Sequence, residues 1–145
     1  MEFEVPQINS NTQEIKKILE ETKIIAVVGC SPDPQKASNI VANYLKNAGY
    51  AIIPIYPKED EILGEKVYRS LSDIPSDIKI DMVDIFRKAN AISLVVEEAL
   101  ERGNVKCIWT QVGLVNNNAA KKASDAGLKV VQNSCTKIEH ANLFI

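Results

Sequence analysis

Ile24-Ile25-Ala26-Val27-Val28-Gly29-Cys30-Ser31-Pro32 is the stretch that decides the fold of this chain. Its apolar half is mostly β-branched and shows no polar alternation, which is the pattern of a parallel strand buried on both faces. The run breaks at Gly29 into Cys-Ser-Pro, where such a strand hands the chain to a helix. The glycine permits a tight turn. The helix that follows offers unpaired N–H groups and the positive end of its dipole, so this turn is a candidate phosphate site.

The same strand-then-helix plan repeats outward from this point. Upstream, residues 1–10 read as an irregular arm, and Thr12 is expected to cap a helix through about Glu21 with Ile15, Ile18 and Leu19 on one face. Downstream, Ile40, Val41, Tyr44, Leu45 and Ala48 recur at helical spacing up to Gly49. Ala51–Ile55 reads as the second strand, with Pro54 assigned to its exit because proline cannot donate to a ladder. Glu59–Ser76 reads as a loop with a short helical turn and a bend at Gly64. Ile80–Phe86 is the third strand, followed by a helix carrying Ile92, Val95, Val96, Ala99 and Leu100 and closed by Gly103. Val105–Thr110 is the fourth strand, and Asn116 is expected to cap a helix carrying Ala119, Ala120, Ala123 and Ala126. Leu128–Gln132 is the fifth strand, and a last helix spans about Thr136–Asn142.

Continuous apolar strands joined by helices imply an α/β fold: a doubly wound, Rossmann-like domain with a five-stranded, mainly parallel sheet and helices on both faces. The expected strand order is 3-2-1-4-5. The 145 residues then form an arm (1–10) and a single domain (11–145). A net charge of −2 provides no basic field for nucleic acid and no polybasic anchor for a membrane. No apolar run has the length of a membrane span, and Met1-Glu2-Phe3-Glu4 lacks the start of a signal peptide. Three cysteines, widely spaced and without a CxxC pair, fit a reduced cytoplasmic protein.

In open α/β sheets ligands bind beyond the carboxyl ends of the strands. Those ends carry Gly29-Cys30-Ser31-Pro32, Tyr56-Pro57-Lys58, Phe86-Arg87-Lys88 and Gln111-Val112-Gly113. The first lacks GxGxxG spacing and also reads as an ordinary turn; Lys36 and Ser38 add a cation and a hydroxyl suited to a pyrophosphate, or else a solvated lysine and a capping serine. At the second, Lys58 suits a ribose phosphate better than a bare diol, although Glu59 beside it keeps the acidic, NAD-type reading open. At the third, an aromatic or guanidinium plane can cover a base and a second cation can hold phosphate; the other reading is a core Phe86 with two solvated cations. Asp84 reads as a structural hydrogen-bonding residue and Trp109 as core.

Taken in order, these residues resemble the stand-alone CoA-binding domain proteins, relatives of the nucleotide-binding domain of the succinyl-CoA synthetase α subunit. The resemblance is carried by Val-Val-Gly-Cys-Ser-Pro-Asp-Pro (27–34), Ile-Pro-Ile-Tyr-Pro (53–57) and Ile-Leu-Gly-Glu-Lys-Val-Tyr-Arg-Ser-Leu (62–71). It continues through Asp-Met-Val-Asp-Ile-Phe-Arg (81–87), Ile-Trp-Thr-Gln-Val-Gly (108–113) and Cys-Thr-Lys-Ile-Glu-His (135–140). It implies coenzyme A, or an acyl-CoA, as the cofactor. Gly29, Ser31 and Pro32 would hold the pyrophosphate, Lys58 would approach the ribose 3′-phosphate, and Phe86, Arg87 and Lys88 would line the adenine pocket, with Pro57 beside Lys58. Tyr56 stands where that family commonly has Asn, and Gln35-Lys36-Ala37 replaces its usual Arg-Pro pair.

No catalytic group and no metal set is assigned. His140 is the lone histidine, and Cys135 with His140 falls short of a zinc ligand set, so a structural role tying the last helix to the sheet is expected. Cys30 reads as a small buried residue, with a redox-sensitive thiol at a helix N-terminus as the other reading. The expected function is a small CoA-binding carrier, sensor or subunit. An NAD(P)-binding regulator, an enzyme acting on acyl-CoA thioesters and a ligand-free interaction module remain alternatives. Association with itself or another protein stays open, with Phe144 and Ile145 as candidate docking residues.

Overall fold

The computed structural model describes residues 5–144; residues 1–4 and Ile145 fall outside it, and with them the readings of the chain start and of Ile145. The parallel sheet is built from β1 (Ile24–Val28), β2 (Ala51–Ile55), β5 (Met82–Ile85), β6 (Cys107–Thr110) and β7 (Lys129–Val131). A small antiparallel hairpin, β3 (Glu61–Ile62) and β4 (Glu65–Lys66), and a 3-10 turn at Leu71–Asp73 occupy the span expected to be a loop. The helices are α1 (Thr12–Glu21), α2 (Ala37–Asn47), α3 (Ile92–Arg102), α4 (Asn117–Asp125) and α5 (Thr136–Phe144).

Strand periodicity sorts the core into two layers. Ile25, Val27, Met82, Cys107 and Trp109 point to one face, where α1, α2 and α5 pack with Ile15, Leu19, Val41, Leu45 and Leu143. Ala26, Val28, Val83, Ile85 and Ile108 point to the other, under Val95, Val96 and Ala99 of α3 and Ala119, Ala120 and Ala123 of α4. The α/β class, the five parallel strands and the two helical layers are as expected. The cap of α1 differs: Asn11, not Thr12, accepts from the Glu14 N–H, and Glu14 returns the bond to the Asn11 N–H, forming a reciprocal capping box. Asn116 caps α4 by accepting from the Ala119 N–H.

The strand order is a correction. The sheet runs β2-β1-β5-β6-β7, which is 2-1-3-4-5 in the five expected strands rather than 3-2-1-4-5. Pro54 supplies the reason. The Ala51 N–H donates to Lys23 and the Ile55 carbonyl accepts from Gly29, so residues 51 and 55 bond toward β1. With the ladder alternating, the N–H that Pro54 lacks falls on the outer side. A β2 flanked on both sides would carry a gap in mid-ladder; at the edge it does not. The outer side is instead finished by Tyr68, whose N–H donates to the Pro54 carbonyl at 3.0 Å and whose carbonyl accepts from Tyr56 at 3.1 Å. At the opposite end of the strands, the Asp81 carboxylate accepts from the N–H groups of both Lys23 and Ile24 at 2.9 Å, which docks the start of β5 beside β1.

Candidate functional site

In this strand order the winding reverses between β1 and β5, so the crevice where open α/β sheets bind ligands lies beyond Val28 and Ile85. Gly29 and Phe86 meet there. Gly29 has φ +86°, and a Cβ placed on it would just touch the Phe86 carbonyl oxygen at 3.4 Å, so it is the backbone conformation that calls for glycine. Gly29→Ala is expected to lower stability by about 1–2 kcal/mol, the penalty of a side chain in left-handed backbone. Urea denaturation checks this, and an unchanged midpoint would contradict the reading.

The turn that follows is tied down by its own groups. The Gly29 and Cys30 N–H groups both donate to the Ile55 carbonyl, at 2.9 and 3.2 Å. The Ser31 N–H donates to Ser38 Oγ at 2.9 Å, Asn39 Nδ2 donates to the Ser31 carbonyl at 2.9 Å, and Ser31 Oγ accepts from the Asp33 N–H at 3.1 Å. The first three N–H groups after β1 are therefore engaged within the protein. The donors left for an anion are those of the first turn of α2, which begins after Lys36 with no side-chain cap. Ser38 is buried in that turn, whereas Pro32 and Lys36 are exposed on its rim. Asn39, not singled out from the sequence, is the buried residue that fixes the loop.

The structure brings the second and third strand ends to the same crevice. Arg69 Nη1 donates to the carbonyls of Tyr56, Lys58 and Glu59 at 3.1, 2.9 and 2.8 Å, clasping the turn that presents Pro57 and Lys58 to solvent. Tyr56 packs against the α2-side core. Phe86 is half-buried against that same core, while Lys88 is exposed at the start of a 3-10 turn, Ala89–Ala91. Arg87 lies on the other side, in a cleft of about 210 Å³ with Val28, Ile55, Arg69, Leu71, Val95 and Glu98. Phe86 and Arg87 thus part to opposite faces of the sheet end. Arg69 and Glu98 were not legible as site residues: Arg69 sits in a loop run and Glu98 on the polar stripe of a helix.

Beneath the crevice lies a buried polar network. Asp84, fully enclosed on β5, accepts from Gln111 Nε2 and from Thr136 Oγ1, the latter at 2.9 Å, and Gln111 Nε2 also reaches Thr136 Oγ1 at 3.1 Å. Burial pushes the Asp84 carboxyl up to about 7, against the lowering effect of its two donors. This is the structural hydrogen-bonding role expected for Asp84; it joins β5, the end of β6 and the start of α5. Trp109 is wholly buried, and its Nε1 donates to the Ser134 carbonyl at 2.8 Å. Cys30 has no exposed surface, and burial, aided by the Asp84 charge, pushes its thiol up to about 12. This speaks against the redox-sensitive reading: α2 starts only at Ala37, so Cys30 is not at a helix N-terminus, and its thiol is closed to solvent.

His140 ties α5 to α2 rather than to the sheet: its Nδ1 meets the Tyr44 hydroxyl at 2.9 Å and its ring stacks on Phe144 with centroids 4.9 Å apart. Among the described residues, no group of three or more His, Cys, Asp or Glu side chains could hold a metal ion, and no helix is long and apolar enough to cross a membrane.

Comparison with known proteins agrees with this fold. The uncharacterized protein YneT of Bacillus subtilis is 41% identical over 133 residues, covering 92% of this chain and 96% of that protein. A hypothetical protein from Pyrococcus horikoshii superposes with a TM-score of 0.89 at 41% identity, over 100% of both chains. The α subunit of acetate–CoA ligase (ADP-forming) II from Pyrococcus furiosus is 28% identical over 131 residues, 82% of this chain but only 28% of that subunit. The family model described as CoA binding domain matches residues 23–141, from the start of β1 through most of α5, and the chain belongs to that family.

Proposed function

We propose that this protein binds coenzyme A or an acyl-CoA in the crevice between β1 and β5, as a carrier, sensor or subunit without catalytic machinery of its own. The observation that carries this reading is the uncapped start of α2 at the reversal of winding: unpaired N–H groups and a positive dipole end face the crevice. Membership of the CoA binding domain family names the phosphate compound. In this reading Ser31, Pro32 and Ser38 border the pyrophosphate, with Gly29 giving the close backbone approach and Lys36 adding charge from the rim. Lys58, on the turn clasped by Arg69, meets the ribose 3′-phosphate. Arg87 and Lys88 hold the adenosine, the base entering the cleft beside Arg87, while Phe86, on the other face, stays with the α2-side core.

Calorimetric titration of ligand-free protein with CoA, acetyl-CoA, dephospho-CoA, NAD⁺ and NADP⁺ tests it. CoA and acetyl-CoA are expected to bind in preference to both dinucleotides. Dephospho-CoA is expected to bind about 1–3 kcal/mol more weakly, the range of a charge-assisted hydrogen bond, and Lys58→Ala to abolish that difference. Preference for NAD⁺ or NADP⁺ would instead assign the crevice to a dinucleotide regulator. Equal binding of CoA and dephospho-CoA would remove Lys58 from the site.

A further inference from the structure

Lys58, Arg69, Arg87 and Lys88 bring cations to the crevice, and one of them is committed to the protein's own backbone. Arg69 Nη1 shares its hydrogens among the carbonyls of Tyr56, Lys58 and Glu59, and Nη2 lies 3.9 Å from the Asp60 carboxylate. An arginine beside a phosphate is ordinarily read as the clamp, because its planar fork matches two oxygens at once. Here the fork is turned to the loop that follows β2. Lys58, on that loop, is exposed, and its ammonium forms no hydrogen bond or ion pair among the described residues.

The clasp has a fixed root and a strained target. Arg69 follows Tyr68, which is bonded to the edge of β2 through both its N–H and its carbonyl, and Leu71 just beyond it is buried. The guanidinium therefore extends from backbone that belongs to the sheet. Its target, residues 57–60, is exposed, and Glu59 stands there at φ +70°, a conformation that residues with a side chain rarely adopt. The Lys58 and Glu59 carbonyls belong to the peptide units on either side of Glu59. Each unit is planar, so capturing both oxygens sets φ and ψ of Glu59 and the direction in which the chain leaves Lys58. A strained residue on an exposed turn persists only where something else over-determines it, and Arg69 does so here.

We infer that Arg69 is the positioning residue for recognition of the 3′-phosphate: it meets no phosphate oxygen, and acts by holding the turn from which Lys58 does. This rests on the role given to Lys58 above and adds the residue on which that role depends. An ammonium is a compact charge on a flexible stem, so where it can bind is set by where the stem begins. A turn fixed before the ligand arrives also spares the ordering cost on binding. Lysine at position 69 would keep the charge but not the planar fork that reaches several carbonyls together, so it cannot take over this role.

Calorimetric titration of the full chain with CoA and dephospho-CoA tests this through one ratio, the Kd of dephospho-CoA over that of CoA. In the unaltered protein the ratio is expected to be at least about fivefold, the lower end for a charge-assisted hydrogen bond. Arg69→Ala and Arg69→Lys are both expected to bring it below about twofold. In a Lys58→Ala background Arg69→Ala is expected to leave it unchanged, because the two residues act as one unit. Contacts that Arg69 makes as a wall of the cleft affect both compounds and cancel in the ratio. A ratio that survives in Arg69→Ala means that the turn stands without its clasp, and overturns the inference. A ratio lost in Arg69→Ala but kept in Arg69→Lys gives Arg69 a direct charge contact with phosphate, and overturns it too. So does a further change in the Lys58→Ala background, or loss of all binding in both Arg69 variants, which would make the residue simply structural. In each of these cases the CoA reading stands on the unaltered protein. Equal binding of the two compounds by the unaltered protein removes Lys58 from the site and the inference with it, and silence from both overturns the CoA reading itself.

Discussion

Asp84→Ala is expected to lower the unfolding free energy by about 3 kcal/mol, because it strips the partner from two buried donors at once and opens a small void. Gln111 Nε2 and Thr136 Oγ1 both donate to Asp84, inside the sheet and at the root of α5. Asp84→Asn should behave differently. Its amide oxygen can accept from Gln111 while its amide nitrogen donates to Thr136 Oγ1, so the network closes without a charge. The direction of the pH dependence follows from the raised carboxyl, at 3.8 unfolded and about 7 folded. Below 3.8 the group is neutral in both states and its favourable contribution is fully present. As pH climbs from 3.8 toward 7 the unfolded chain releases a proton that the folded chain keeps, so stability falls with pH. Above about 7 the loss is complete, on the order of a few kcal/mol. Denaturation profiles of both proteins from pH 4 to 8 check this: the Asn variant should gain on the unaltered protein across that window and exceed it at pH 8. Parallel profiles would show that Asp84 is ionised throughout and that Gln111 and Thr136 outweigh burial.

The second large effect is expected at Arg102, the last residue of α3. Its Nη1 donates to the carbonyls of Leu71 and Ile74 at 3.0 and 2.7 Å, and its Nη2 to those of Pro75 and Ile78, the latter at 2.8 Å. One guanidinium therefore holds residues 71–78, the later part of the crossover that leads from the edge of β2 to β5 on the far side of β1. Hydrogen bonds to charged groups contribute about 1.5–3 kcal/mol each, but Pro75 is exposed and water replaces part of what is lost there. Arg102→Ala is expected to cost about 3 kcal/mol in total. Arg102→Lys should recover less than half of it, because an ammonium is a compact charge without the planar fork that reaches four carbonyls. Amide exchange across residues 71–78 should rise in both variants. CoA affinity should fall with it, since Leu71 forms a wall of the cleft. Full recovery by lysine would mean that charge alone, and not the fork, holds the segment.

Much of this architecture is legible in local pattern. The β-branched run into Gly29, the helical spacing of Ile92 through Ala99 and the cap at Asn116 depend on interactions within a few residues, and local chemistry reports them directly. The candidate ligand turns were legible for the same reason: open α/β sheets place them at strand ends, and strand ends follow from the pattern. Cys30 shows where such reading stops. A cysteine before a helix suggests a lowered thiol pKa, but the enclosure that raises it comes from β2, α2 and the neighbouring Asp84, none of them adjacent in sequence.

By itself, then, the sequence determined the class of fold, the identity of its five parallel strands and the turns that face the crevice, because periodicity and turn chemistry act over short range. Tertiary structure alone decided which strands are neighbours, which polar groups are satisfied and which are not. Local pattern assigns Pro54 to the exit of an internal strand, and only the docking of β5 against β1 through Asp81 puts β2 at the edge. The clasps at Arg69 and Arg102 arise from carbonyls assembled from distant segments. Hydrogen-bond satisfaction is a property of the closed molecule, and no local reading of the chain contains it.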